Sequence, residues 1–423
     1  MLIKNGRVLD PASGKDGIYD ILVEDNIITD VNKNIESDTE DVIDVSGCFV
    51  MPGLIDLHVH FREPGFEYKE TIKTGAQAAA KGGVTTVFAM PNTNPVVDSV
   101  EMIGKVNDII NRDAVVNVHQ VAAVTLKQAG ETATDIDALA KAGVIAISED
   151  GKSVMNSNVY RQAMKLAARN NITVMAHCED KNLVNGGSLN ESEKSRKLGV
   201  KGITNAVEDI ITARDILLAK ETGCRLHLCH CSTKDSVRMI REAKAEGIDV
   251  TGEVCPHHFT LCDDDIPGND ANYKMNPPLR SSDDVKALIE GLKDGTMDVI
   301  STDHAPHSAD EKKRPIEKAP FGITGLETSL SLTYTELVEK GILTPMQMVE
   351  KMSYNPARIT GIDRGTLLPG SVADITIMDP AQEYVIDSTT FASKGKNTPF
   401  DGRKVKGRVI YTIVNGKIVY ARR

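Results

Sequence analysis

Six side chains in this 423-residue sequence could do joint chemistry if the chain delivers them to one place. His58 and His60 close an apolar run, 54–60, and the two-residue period of a strand sets both imidazoles on one face, where they could grip one cation. His-x-His alone is a weak pattern, read equally well as two histidines hydrogen-bonded in a core. The ends of other apolar runs change that balance. His177 lies near the end of 172–178 and His230 near the end of 225–231, while Asp150 closes 145–150 and Asp303 closes 299–303. Four imidazoles and two carboxylates on one rim form a donor set suited to Zn2+, enough for two ions that share one donor.

Positioning such a rim requires a particular arrangement of elements. Apolar, strand-like runs at 54–60, 84–90, 115–124, 143–149, 172–178, 225–231, 248–254 and 297–303 alternate with helix-patterned segments such as 68–81, 159–170, 206–222 and 283–292. Eight such repeats over some 300 residues predict an α/β fold, a (β/α)8 TIM barrel, whose strand C-terminal ends carry the chemistry. A doubly wound open sheet would show the same alternation. It gains no support from a glycine-rich phosphate loop, because neither G-x-x-x-x-G-K-[ST] nor G-x-G-x-x-G falls between a strand and a helix.

Short strands at 2–8, 20–24 and 41–45 open the chain, and the same texture returns at 373–378 and 409–420, where Asn415-Gly416 is a type I′ hairpin signal. The expected organisation is therefore a small β-sandwich domain built from both termini, residues 1–50 and 366–423, around a barrel at 51–365.

Composition narrows the partners. A formal charge of −11 without a Lys/Arg-rich run excludes non-specific nucleic-acid binding, so an anionic substrate would need positive charge inside a pocket. No apolar stretch approaches the roughly 20 residues that span a bilayer, the N-terminal residues carry no signal-peptide core, and the expected location is the cytoplasm. Seven cysteines without a secreted-scaffold spacing read as reduced thiols. Cys229 and Cys231 flank His230 but alternate away from its face on a strand, which makes them packing residues. His119, His227 and His304 are read as structural, with His304 near enough to orient a ligand.

Several motifs together carry a resemblance: P-G-L-I-D-L-H-V-H-F-R-E-P-G at 52–65, A-M-P-N-T at 89–93, S-E-D-G at 148–151, A-H-C-E at 176–179, H-C-S-T at 230–233, M-N-P-P-L-R at 275–280 and S-T-D-H-A-P-H at 301–307. Nearly end to end, the sequence resembles the amidohydrolase superfamily, and within it the type I dihydroorotases. The resemblance implies two Zn2+ per subunit, bridged by Asp150 and a hydroxide, with His58, His60 and Asp303 on one ion and His177 and His230 on the other. Many relatives bridge their metals with a carboxylated lysine instead. Lys152 could share the face of Asp150, so the bridging side chain stays open at this point.

The same resemblance implies substrate contacts from His60, Phe61, Arg62, Asn92, Asn276, His307, Phe321 and Gly322, with Arg62, Asn92 and His307 on a free carboxylate. It implies Asp303 as the catalytic group that moves the proton. The expected reaction is reversible cyclisation of N-carbamoyl-L-aspartate to L-dihydroorotate in pyrimidine biosynthesis. The rivals are another ring-opening activity, hydantoinase or allantoinase, and a non-catalytic partner of aspartate transcarbamoylase. Arg62, Asn92 and an aspartate bridge argue against the first, and retention of all four histidines and both aspartates argues against the second. A homodimer, and association with aspartate transcarbamoylase, are further implications. His257 and His258, in Cys255-Pro256-His257-His258, look like ligands, yet the resemblance gives them no such role and they are read as structural or supporting. The polar segment 308–320 is expected to be either a lid or an ordinary solvated loop.

Overall fold

The computed structural model describes residues 1–422. Each of the eight apolar runs contains a parallel strand: Leu54–Val59, Val84–Ala89, Asn117–Gln120, Ala146–Ser148, Thr173–Ala176, Leu226–Leu228, Val250–Val254 and Val299–Ile300. They pair in chain order. The third run breaks at Val121, and its second piece, Ala122–Ala123, carries the pairing on to Ala146–Ser148. Closure comes where the eighth strand's exit meets the first: Val59 bridges His304 in parallel, and His60 N–H donates to His304 O at 2.9 Å. The result is a closed barrel with no free edge across the rim.

Strands are shorter than the apolar runs that announce them, because the last residues of each run leave the ladder to form the rim. The helices between them begin at polar caps. Thr71 and Thr74 exchange hydrogen bonds of 3.2 and 3.1 Å, so the first helix is Ile72–Lys81 rather than starting at residue 68. Thr233 caps Lys234–Ala245 and Ser281 caps Ser282–Asp294 by accepting from the Ser236 and Asp284 N–H groups, each cap contributing about 1 kcal/mol. Helix Ile72–Lys81 lays Ala76, Ala78, Ala79 and Ala80 on the strands. At Gly75 a Cβ would stand 2.4 Å from the ring of Phe61, so only glycine lets that helix pack so closely.

Both chain ends share one sheet of eight strands, in which Phe49–Pro52 pairs with Leu2–Asp10 on one side and Ile375–Val385 on the other. At the opposite edge Ile27 bridges Val372, just ahead of Ile375–Val385, so the sheet folds back on itself. Ile3, Val8, Ile21, Ile28, Val50, Ile375, Ile377 and Ile413 fill the enclosed space as a core of their own. Asn415 (φ 49°) and Gly416 (φ 74°) form the hairpin turn between Lys404–Val414 and Lys417–Ala421. No described helix is long and apolar enough to cross a membrane.

Candidate active site

At the C-terminal rim of the barrel the four histidines gather around Asp150. Its Oδ1 lies 3.1 Å from His58 Nε2, 3.5 Å from His177 Nδ1 and 3.7 Å from His230 Nε2, and its Oδ2 lies 3.5 Å from His60 Nε2. Asp303 Oδ1 completes the group, 3.0 Å from His60 Nε2 and 3.7 Å from His58 Nε2. All six side chains are buried. Lys152 is exposed and its Nζ donates to Gln128 O at 3.1 Å, so it does not reach this cluster.

Hydrogen bonds behind the ring fix which nitrogen faces inward. His58 Nδ1 donates to Glu253 Oε1 at 2.8 Å and His60 Nδ1 donates to Asn92 Oδ1 at 2.9 Å, which leaves both Nε2 lone pairs turned toward the carboxylates. His58 Nε2 and Asp150 Oδ1 are buried at the centre without any hydrogen-bond partner, while His177 turns Nδ1 inward, 2.8 Å from His230 Nε2, and its Nε2 faces Glu179 Oε2 at 3.5 Å. Buried lone pairs that converge and find no proton donor are a poor arrangement for a core and a good one for cations. The neutral imidazole and carboxylate donors fit Zn2+ in kind, and their number fits two ions.

Electrostatics support this reading. Burial alone would raise Asp150, but the charge of His58 and the nearby His177 and His230 hold it well below the usual carboxylate range. Burial likewise opposes ionisation of Asp303, and His60 and His58 hold it low. His177 is pushed up to about 10, against its burial, by Asp150 and Glu179. Without cations, protons on His58 and His177 offset the two carboxylates.

Backbone strain marks the same positions. Arg62 (φ 61°), His230 (φ 34°) and Asp303 (φ 49°) adopt left-handed backbone although none is glycine. His230 shows what this achieves. The strand ends at Leu228, and Cys229 lies so close to His58 and Glu253 that their donor atoms fall within 4.8 Å of one another. The kinked backbone at residue 230 then turns the histidine to the centre. Alternation had aimed Cys229 away from the histidine cluster, but regular alternation does not survive the strand's end. Burial, then the charge of Glu253, pushes the Cys229 thiol up to about 12, so it stays protonated.

A cavity of about 180 Å3 opens above the cluster, lined by His60, Arg62, Asn92, Asp150, Gly151, His177, His230, Asn276, Asp303, Ala305, Phe321 and Gly322. Arg62 supplies its positive charge: Nε donates to Pro306 O at 3.3 Å, and among the described residues no carboxylate lies within ion-pair distance of the guanidinium. Asn92 lies beside it, and its Nδ2 donates to Asp150 Oδ2 at 3.3 Å. Asn276 Nδ2 donates to Glu179.

Two further expected substrate contacts, Phe61 and His307, are not among the side chains that line the cavity. The Phe61 ring is buried against Gly75 and does not line the cavity, because helix Ile72–Lys81 packs over it. His307 does not itself line the cavity but adjoins two residues that do: Nε2 donates to Phe321 O at 2.8 Å and lies 3.4 Å from Arg62 Nη2, and Nδ1 accepts from Lys69 at 3.3 Å. Burial, with Arg62, Lys69 and Lys312 nearby, keeps that imidazole neutral.

Sequence reasoning missed Glu253, fully buried, which bonds His58 Nδ1, His227 Nε2 at 3.1 Å and the His230 N–H at 3.0 Å. An acid next to the last residue of the apolar run 248–254 was the available signal. Glu179 and Lys312 were missed too. Lys312 Nζ donates to Gly322 O at 2.8 Å, Pro320 O at 3.1 Å and Lys274 O at 3.3 Å, clamping the cavity wall. The segment 308–320 is tied down further by the Ser308–Glu311 cap and by Ile316, whose N–H donates to Asn269 Oδ1 at 2.7 Å. His304 turns from the centre, accepting from Gly325 N–H at 3.2 Å and facing Glu70 at 3.4 Å.

Comparison with known proteins bears on which family builds such a site. Residues 47–236 match the family model described as dihydro-orotase-like. A dihydroorotase of Bacillus cytotoxicus is 52% identical over 419 residues, covering 99% of this chain and 98% of the relative. The chain belongs to the dihydroorotase family. A dihydroorotase of Bacillus anthracis shows the same identity and coverage. Among solved structures, an L-hydantoinase (dihydropyrimidinase) of Arthrobacter aurescens superposes with a TM-score of 0.88 at 27% identity, covering 99% of this chain and 96% of that one. A dihydropyrimidinase of Brevibacillus agri, 24% identical over 99% and 95% of the two chains, has a TM-score of 0.88 and shares the fold. Dihydroorotases are thus relatives in sequence, and a hydantoinase and a dihydropyrimidinase share the architecture.

Proposed function

We infer that the chain is a dihydroorotase, interconverting N-carbamoyl-L-aspartate and L-dihydroorotate on the route to pyrimidines. The observation that carries the substrate is Arg62, an arginine on the cavity wall that no carboxylate among the described residues pairs with. A planar guanidinium fork binds a carboxylate in two parallel hydrogen bonds, and dihydroorotate bears a free carboxylate on its ring. Hydantoin has none.

His58, His60 and Asp303 would hold one Zn2+, His177 and His230 a second, and Asp150 would touch both. When bound, such cations acidify water and polarise a carbonyl. The chain's own groups do the rest. Arg62 and Asn92 fix the carboxylate, and Asn276, held by Glu179, together with the backbone at Phe321 and Gly322, orients the ring amides. In the hydrolytic direction water adds to the ring carbonyl and the carbon–nitrogen bond breaks. Asp303 Oδ1 takes the water's proton and delivers it to the departing nitrogen. Ring closure reverses each transfer.

Replacing Arg62 by Met tests the substrate assignment. The KM for dihydroorotate should rise about 10-fold or more, with metal content unchanged. An unchanged KM would refute the carboxylate contact.

A further inference from the structure

Cys255-Pro256-His257-His258 lies outside the cavity just described, since none of its side chains lines it. The chain leaves strand Val250–Val254 at Cys255 in extended backbone (φ −86°, ψ 148°), and Pro256 opens the short helix Pro256–Thr260. That turn folds the two imidazoles back toward the thiol. One donor atom from each of Cys255, His257 and His258 lies within 4.8 Å of the others, and all three residues are buried.

The hydrogen bonds around the cluster are incomplete in an informative way. His258 Nε2 donates to Pro277 O at 2.9 Å, so its lone pair sits on Nδ1, which is buried with no partner. His257 Nε2 is buried without a partner as well. An imidazole whose outer N–H is anchored on a carbonyl while its inner lone pair is unused is the arrangement of a metal-bound histidine. Burial also holds both imidazoles neutral, since it pulls His257 well down and His258 to about 4.

We propose that Cys255, His257 and His258 form a separate metal site for a soft or borderline cation, Zn2+ or Cu+. Burial, then the charges of Asp303 and Glu253, raises the Cys255 thiol well above its ordinary value, so the cation itself must displace the proton: a sulfur–metal bond forms while the thiol proton leaves to solvent, and the two imidazole nitrogens join as neutral donors. Tetrahedral Zn2+ with sulfur at about 2.3 Å and nitrogen at about 2.0 Å requires donors roughly 3.3–3.6 Å apart, so side-chain rotations of about 1 Å close the site. Its place gives it a role. Pro277 follows Asn276, so a cation here ties the end of strand Val250–Val254 to the loop that presents Asn276 to the cavity.

Cobalt substitution reads this site directly. The donors around Asp150 are nitrogen and oxygen, so a near-ultraviolet sulfur-to-cobalt charge-transfer band in the Co2+-reconstituted full-length protein reports a cysteine ligand. The wild-type protein should show that band, Cys229→Ser should retain it, and Cys255→Ser should lose it together with one equivalent of metal. His257→Gln and His258→Gln should weaken it while Cys255 remains. Absence of the band from wild-type protein overturns the proposal, whatever the variants do, and means that the orphaned nitrogens are met by water. A band lost in Cys229→Ser but kept in Cys255→Ser overturns it equally.

Discussion

His58 stands between Glu253 Oε1 at 2.8 Å and Asp150 Oδ1 at 3.1 Å, and this pair defines its chemistry. Glu253 accepts the hydrogen bond from Nδ1–H and raises the basicity of the nitrogen that faces the cations. Glu253→Gln keeps the shape and removes the charge, so metal affinity should fall about 10- to 100-fold, measured by competition with a chelator. Unaltered affinity would show that the carboxylate only fills space. Asp303 carries the proton in the proposed reaction, and Asp303→Asn should lower kcat by about 10²–10⁴-fold while leaving the folded state intact by circular dichroism; near-normal turnover would remove it from that role. The rim histidines and aspartates were legible because each closes an apolar run. Glu253 and Glu179 were not, because no spacing links them to the side chains they hold. The reach of His230 was hidden as well, since it depends on a left-handed backbone that no propensity announces.

The segment 308–320 and the wall it supports act as one element through Lys312. Burial first, then the charge of Lys274, lowers its amine to about 7, with Asp270 and Glu311 opposing. In the unfolded chain a lysine keeps its proton to about pH 10.4. Between pH 7 and that value the unfolded chain therefore binds more protons, so stability rises with pH, while below pH 7 both states are protonated and the cost of burial is constant. Function moves the other way. A charged amine has three N–H groups for the carbonyls of Lys274, Pro320 and Gly322, and a neutral amine has two. The KM for dihydroorotate should consequently rise above pH 7 in the wild type and stay flatter in Lys312→Arg, whose guanidinium remains charged. Parallel profiles would contradict the clamp. Periodicity gave no hint of this, as a lysine in a polar stretch reads as solvated until the loop is seen to close over it.

At the scale of the molecule, eight apolar runs alternating with helical segments were enough to specify the closed barrel, because parallel strands buried on both faces read as continuous apolar stretches. Strand ends were less legible, since the residues that leave the ladder are the ones that build the rim. The Asn415-Gly416 turn was recognisable for a local reason, positive φ at both positions. The partnership of the two chain ends in one sheet is a long-range pairing, suggested only by their similar texture. Closed barrels of this kind serve several ring-opening reactions, so the architecture leaves the substrate open and the side chains in the cavity decide it. The most direct measurement is kcat/KM of the metal-loaded protein for L-dihydroorotate beside hydantoin and allantoin. The account predicts a clear preference for dihydroorotate that shrinks in Arg62→Met. Equal or faster turnover of hydantoin or allantoin by the wild-type protein would contradict it.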